Sequence, residues 1–135
     1  MEALSISDNF VDISKKIGVH AVADILGVDS NDLQDEKFLM TLLRNSLQVA
    51  DFTILDEKSL KFPGEHSGVT GFFILSESHA AFHSYPEYHY LGVDIFSCGK
   101  ADPKKAIQHL SKMINAQDLN ISLLNRGLKN RENKI

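Results

Sequence analysis

Apolar and polar positions along the chain change period several times, and each change marks an element. From Gly18 the run Val19-His20-Ala21-Val22-Ala23-Asp24-Ile25-Leu26-Gly27-Val28 is dense in β-formers and closes on a glycine, which predicts a largely buried first strand. Asp29-Ser30-Asn31-Asp32 is a turn cluster with capping residues. Phe38, Leu39, Leu42, Leu43 and Leu47 then recur at helical spacing, so residues 35–50 predict the first helix. Residues 51–61 alternate as a strand does, and residues 62–68, Phe-Pro-Gly-Glu-His-Ser-Gly, carry the punctuation of a loop. Val69–Leu75 reads as a buried strand running straight into Ser76-Glu77-Ser78, and Tyr90–Ser97 as another that ends at Cys98-Gly99. Asp102 is an N-cap before proline at the first helical position, and Ala106, Ile107, Leu110, Met113 and Ile114 supply the apolar face of a second helix running to about Asn115. Leu119–Leu124 predicts the last strand. Residues 1–17 have no clear period, and the polar tail 128–135 is expected to fray.

Two helices among about six strands predict an α/β (α+β) two-layer sandwich, with a mostly antiparallel sheet and both helices on one face. The strands between residues 51 and 97 read as apolar on both sides, so the second face is expected to be buried in a homodimer. With 135 residues, 43% of them hydrophobic, the chain suits a single domain over 1–135. A net charge of -4, from 14 basic and 18 acidic residues spread along the chain, gives no electrostatic footprint for nucleic acid. The first residues lack the features of a signal peptide and no apolar run is long enough to span a membrane, so the expected location is the cytoplasm. A single cysteine, Cys98, cannot form an internal disulfide.

The segment Ser76-Glu77-Ser78-His79-Ala80-Ala81-Phe82-His83, with Cys98 twenty residues after Ser78, carries the chemistry. No ordinary side chain offers an electrophilic carbonyl, so an enzyme that must hold an amine covalently borrows one or makes one from its own backbone. The Ser78 hydroxyl can attack the Glu77 carbonyl, and a base can then expel the Glu77 carboxylate from residue 78. His83 is the base of suitable basicity, provided the chain bends between the two, because an odd offset on an unbroken strand points side chains to opposite faces. Cys98 can act as an acid, since a thiol is mostly protonated at neutral pH. On these residues alone the plainer roles stay open: a turn for Ser78, a structural hydrogen bond for His83, burial for Cys98. A metal site is also open, from His79 and His83 four apart with His66, His89 and Cys98 nearby, but no zinc spacing supports it and no metal is expected.

The series Gly68-Val69-Thr70-Gly71, Glu77-Ser78-His79, His83, Pro86-Glu87-Tyr88, Val93-Asp94 and Cys98-Gly99, followed by Pro103 and Ala106, resembles the bacterial-type S-adenosylmethionine decarboxylase proenzymes. Weaker echoes are Gly18-x-His20 with Ala23-Asp24, and Arg126-Gly127. The resemblance implies self-cleavage between Glu77 and Ser78 into 1–77 and 78–135. Ser78 would become a covalent pyruvoyl group that forms a Schiff base with substrate, without pyridoxal phosphate or metal. It implies His83 as processing base, Cys98 as proton donor, and Thr70 as the processing hydroxyl. Glu87 would bind ribose hydroxyls and Phe62 would stack on adenine, while Tyr85 stands where tryptophan is usual. The implied partner is a small amino-acid substrate, S-adenosylmethionine, in spermidine biosynthesis. Some relatives with the same apparatus decarboxylate arginine or ornithine, and an uncleaved binding or regulatory homologue is the non-enzymatic alternative.

Overall fold

The structure, a computed structural model, describes residues 16–127, so the expectations for most of residues 1–17 and for the tail 128–135 lie outside the described residues. In chain order the elements are β1 (Gly18–Leu26), α1 (Glu36–Val49), β2 (Ile54–Lys61), β3 (Val69–Leu75), β4 (Ser78–Tyr85), β5 (Tyr90–Ser97), α2 (Pro103–Met113) and β6 (Asp118–Arg126). The strands form one sheet in the order β2-β3-β4-β5-β1-β6, and every neighbouring pair is antiparallel. β1 therefore lies between β5 and β6, although it precedes both by more than sixty residues. The expected sandwich is the observed one.

Both helices start and stop for local reasons. The Asp35 carboxylate accepts the Phe38 N–H at 3.0 Å to cap α1, and Asp102 accepts the Lys104 N–H at 2.9 Å to cap α2. Each helix ends in a left-handed residue, Asp51 at φ 70° and Asn115 at φ 59°. The next amide reaches back five residues, Phe52 to Leu47 and Ala116 to Ser111. This is the Schellman arrangement, and it is why β2 begins at Ile54 rather than at residue 51.

The core lies between the helices and one sheet face. Leu39, Leu43 and Leu47 of α1 and Ile107 and Leu110 of α2 are buried with Ala21, Ile25, Phe73, Phe82, Leu91 and Ile95 of the sheet. Gly71 permits this approach: a Cβ there would stand 2.2 Å from the Phe82 ring and 2.7 Å from Met40 Sδ. Buried Ser84 ties three segments together, accepting the Val69 N–H at 2.8 Å and donating to the Leu33 carbonyl at 2.7 Å.

Among the described residues, no helix lies over the opposite sheet face. Val22, Phe72, Ile74 and Leu60 stand exposed there, with His20, His79, His83, Asp94 and Phe96 among them. No described helix is long and apolar enough to cross a membrane.

Candidate active site

The hairpin that joins β3 to β4 pairs Leu75 with Ser78, leaving Ser76 and Glu77 as a two-residue loop. Such loops place residues at positive φ and usually spend a glycine or asparagine there. Here the residue is Glu77, at φ 61°. The left-handed conformation costs an L-residue about 1–2 kcal/mol. The strain sits on the residue whose carbonyl begins the Glu77–Ser78 peptide bond.

Pairing of β4 with β5 sets His79 opposite Phe96, which carries Ser78 to the chain just past the end of β5. There the Cys98 N–H points to Ser78 Oγ at 3.4 Å, and Cys98 Sγ lies 3.9 Å from the same oxygen. The thiol also donates to the Glu77 carbonyl oxygen. Ser97, buried beneath, fixes the turn by donating to the Ala101 carbonyl at 2.8 Å. A hydroxyl nucleophile, a strained carbonyl and a proton donor on that carbonyl thus meet at one bond. These are the parts an acyl shift onto serine needs.

His83 is elsewhere. β4 runs unbroken from Ser78 to Tyr85, without the bend that sequence reasoning required, so five residues of strand separate the two by about 16 Å. The cause is continuous pairing on both sides, with β3 and with β5. His83 Nδ1 instead meets Thr70 Oγ1 at 2.9 Å across the β3–β4 ladder. Thr70 and His83 line an open cavity of about 430 Å³ together with Phe62, His66, Tyr85 and Glu87. Its volume lies within the range of small-molecule sites. The expected residues therefore form two groups at opposite ends of β4: Glu77, Ser78 and Cys98 at one, and Thr70, His83, Phe62, Tyr85 and Glu87 at the other.

The residues weighed as metal ligands do not converge, since His79 and His83 stand about 13 Å apart along β4. A different group does: His20, His79 and Asp94 bring potential ligand atoms within 4.8 Å of one another on the uncovered face. His20 Nε2 is 2.8 Å and His79 Nε2 is 3.4 Å from Asp94 Oδ2, and Arg126 donates to His20 Nδ1 at 2.9 Å. The sequence weighed His79 as a metal ligand but did not join these four, because only the register of β1, β4, β5 and β6 makes them neighbours. Farther along the same strands Tyr90 donates to Asp24 at 2.6 Å. That hydrogen bond, then burial, then the Asp24 charge push the Tyr90 hydroxyl up to about 12.

An antiparallel six-stranded sheet with two helices on one face, with Ser78 just after a strained hairpin loop and Cys98 beside it, is a two-layer α/β sandwich. The crystal structure of the adenosylmethionine decarboxylase from Aquifex aeolicus matches it with a TM-score of 0.76 at 26% identity, over 90% of this chain and 100% of that one. An arginine decarboxylase proenzyme of Ignicoccus hospitalis is 34% identical over 103 residues, 76% of this chain and 72% of that one. An S-adenosylmethionine decarboxylase proenzyme of a Synechococcus strain is 37% identical over 103 residues, 76% of this chain and 79% of that one. The S-adenosylmethionine decarboxylase family model matches residues 19–127, and the chain belongs to that family.

Proposed function

We infer that this chain is the precursor of a pyruvoyl-dependent decarboxylase, that it cuts itself between Glu77 and Ser78, and that its substrate is S-adenosylmethionine. The observation that carries the reading is the Glu77–Ser78 bond itself: a left-handed Glu77, with the Cys98 thiol on its carbonyl and the Ser78 hydroxyl beside it. Attack of Ser78 Oγ on the Glu77 carbonyl carbon forms an ester as the C–N bond breaks, and the Ser78 nitrogen takes up the hydroxyl proton. Negative charge developing on the carbonyl oxygen is met by the Cys98 S–H. A base then removes the Ser78 α-proton, the Cβ–Oγ bond breaks, and Glu77 leaves as a carboxylate. The resulting dehydroalanine tautomerises to an imine, water hydrolyses it, and ammonia departs. Residue 78 is left as the pyruvoyl terminus of residues 78–135.

The side chains present suit that group, since Ser78 supplies its carbon skeleton at a site where Cys98 already touches both Ser78 and the scissile carbonyl. A pyruvoyl carbonyl supplies covalent attachment of the substrate amine and a sink for the electrons released with CO2. Cys98 Sγ, adjacent to residue 78, is the atom that returns a proton to the substrate α-carbon.

The base comes from a second copy. His83 and Thr70 stand at the far end of β4 on the uncovered sheet face, where exposed Val22, Phe72 and Ile74 favour burial. A two-fold dimer through this face runs one β4 against the other, bringing His83 of each copy towards Ser78 of its mate and closing two sites at once. The cavity beside His83 then faces the pyruvoyl end of the other copy. Phe62 offers a face for adenine, and the Glu87 carboxylate accepts ribose hydroxyls. An arginine substrate is the second reading, favoured by the Ignicoccus hospitalis relative and by the same carboxylate, which suits a guanidinium.

Mass spectrometry of the wild-type protein tests the first claim: two fragments, 1–77 and 78–135, are expected, and a single intact chain after long incubation sinks it. Borohydride trapping with S-adenosylmethionine, arginine and ornithine tests the second. An adduct with arginine and none with S-adenosylmethionine reverses the substrate assignment.

A further inference from the structure

The chain of polar side chains beside the scissile bond has a direction. Arg126 Nη1 lies 2.9 Å from His20 Nδ1, and a guanidinium only donates, so that nitrogen carries no proton. The His20 proton is therefore on Nε2, which donates to Asp94 Oδ2 at 2.8 Å. The same arrangement opposes a metal at these residues, because a cation on His20 Nε2 would have to displace that proton. Asp94 Oδ2 also lies 3.4 Å from Nε2 of His79, the residue peptide-bonded to Ser78. The His79 ring is held on one face as well, stacked on Phe72 at 5.8 Å and 14°. Its side chain and that of Asp94 remain 37% and 30% exposed.

We propose that Asp94 is a positioning residue for self-cleavage, holding the His79 imidazole and through it the backbone on the leaving side of the Glu77–Ser78 bond. This rests on the reading of Ser78 as the residue consumed. On the Glu77 side the backbone is strained, and on the Ser78 side the next side chain, His79, faces Asp94 at 3.4 Å and stacks on Phe72. When the bond opens, Glu77 can relax, whereas Ser78 cannot follow. The anchor keeps Ser78 Oγ at the carbonyl until the ester has formed.

The test follows cleavage of the full-length chain by gel and mass spectrometry after cell-free synthesis. Asp94→Asn and His79→Leu are each expected to slow cleavage about ten-fold or more. His79→Gln, which keeps a donor for Asp94, is expected to stay within about three-fold of wild type. Because Asp94 acts through His79, the double variant Asp94→Asn/His79→Leu is expected to be no slower than the slower single one. Asp94→Asn cutting at the wild-type rate, or single effects that multiply in the double variant, overturns the proposal. Should Asp94→Asn fail to fold by circular dichroism, His79→Gln and His79→Leu decide it, and equal rates for the two overturn it. A wild-type chain that stays whole fails the self-cleavage reading itself and removes this proposal with it.

Discussion

Replacing Glu77 by glycine isolates the strain at the scissile residue. Glu77 holds φ 61°, which costs an L-residue about 1–2 kcal/mol and a glycine nothing of that kind. If the acyl shift releases this strain in its transition state, removing it raises the barrier by the same amount. At about 1.4 kcal/mol per factor of ten, cleavage slows about five- to thirty-fold. The side chain must be separated from the backbone, because Glu77 Oε1 also lies 4.0 Å from Cys98 Sγ. Glu77→Ala makes that separation: it deletes the carboxylate and keeps the left-handed penalty. The assay is a pulse of cell-free synthesis followed by quantitation of precursor and fragments over time. Melting temperature is a poor readout, since glycine also loosens the unfolded chain by roughly 0.5–1 kcal/mol and the two effects oppose. Glu77→Gly cutting as fast as Glu77→Ala would refute the role of strain.

Co-refolding Ser78→Ala with His83→Ala chains tests the two-copy site: the chain that retains Ser78 is expected to be cut in the mixture though not alone, and a mixture that stays whole places His83 outside the reaction or inside its own chain. Cys98→Ala removes the donor on the Glu77 carbonyl and is expected to slow cleavage about ten- to a hundred-fold, as well as impairing turnover; wild-type cleavage on a timed gel would remove that role. Gly71→Ala puts a Cβ 2.2 Å from the Phe82 ring, and a loss of about 1–3 kcal/mol is expected by urea unfolding. An unchanged midpoint would mean that the strands yield at no cost. Tyr90 binds its proton more tightly when folded, up to about 12 against a reference of 10.0, so the stabilising contribution is complete below pH 10 and is lost as pH rises towards 12. Ultraviolet titration of wild type against Tyr90→Phe should show one tyrosine ionising late; its absence would mean that the Asp24 hydrogen bond is not kept in solution.

Periodicity located most of the fold because burial on one side imposes it. Val69–Leu75 and Tyr90–Ser97 were legible to the residue, since each strand packs under the helices with every second side chain. β4 was not, because Ser78, His79, His83 and Ser84 interrupt the apolar pattern and half of them face away from the helices. The sequence placed Ser78 and Cys98 each at a strand end, and the resemblance gave them linked roles, but their contact needed the β4–β5 ladder. The separation of His83 did not: its odd offset from Ser78 gave the warning, yet only two continuous ladders show that the strand has no bend. The network of His20, His79, Asp94 and Arg126 was invisible for a related reason. Its members lie on four strands, and nothing local to any one of them records the register of the others.

The position of β1 between β5 and β6 bears on what the molecule is after a cut at residue 77. Residues 18–77 hold β1, α1, β2 and β3, and residues 78–126 hold β4, β5, α2 and β6, so β1 of the first piece is clasped on both sides by strands of the second. The two pieces share three ladders, β3 with β4, β5 with β1 and β1 with β6. Neither piece can depart without opening all three. Yet the cut turns the folding of each protomer from a unimolecular event into an encounter between two chains, which adds a concentration dependence to the unfolding midpoint beyond that of any pairing of copies. Dilution after melting would leave the pieces apart. The uncut chain is thus the form that can fold from scratch, and a cut made before the sheet has closed would strand both halves.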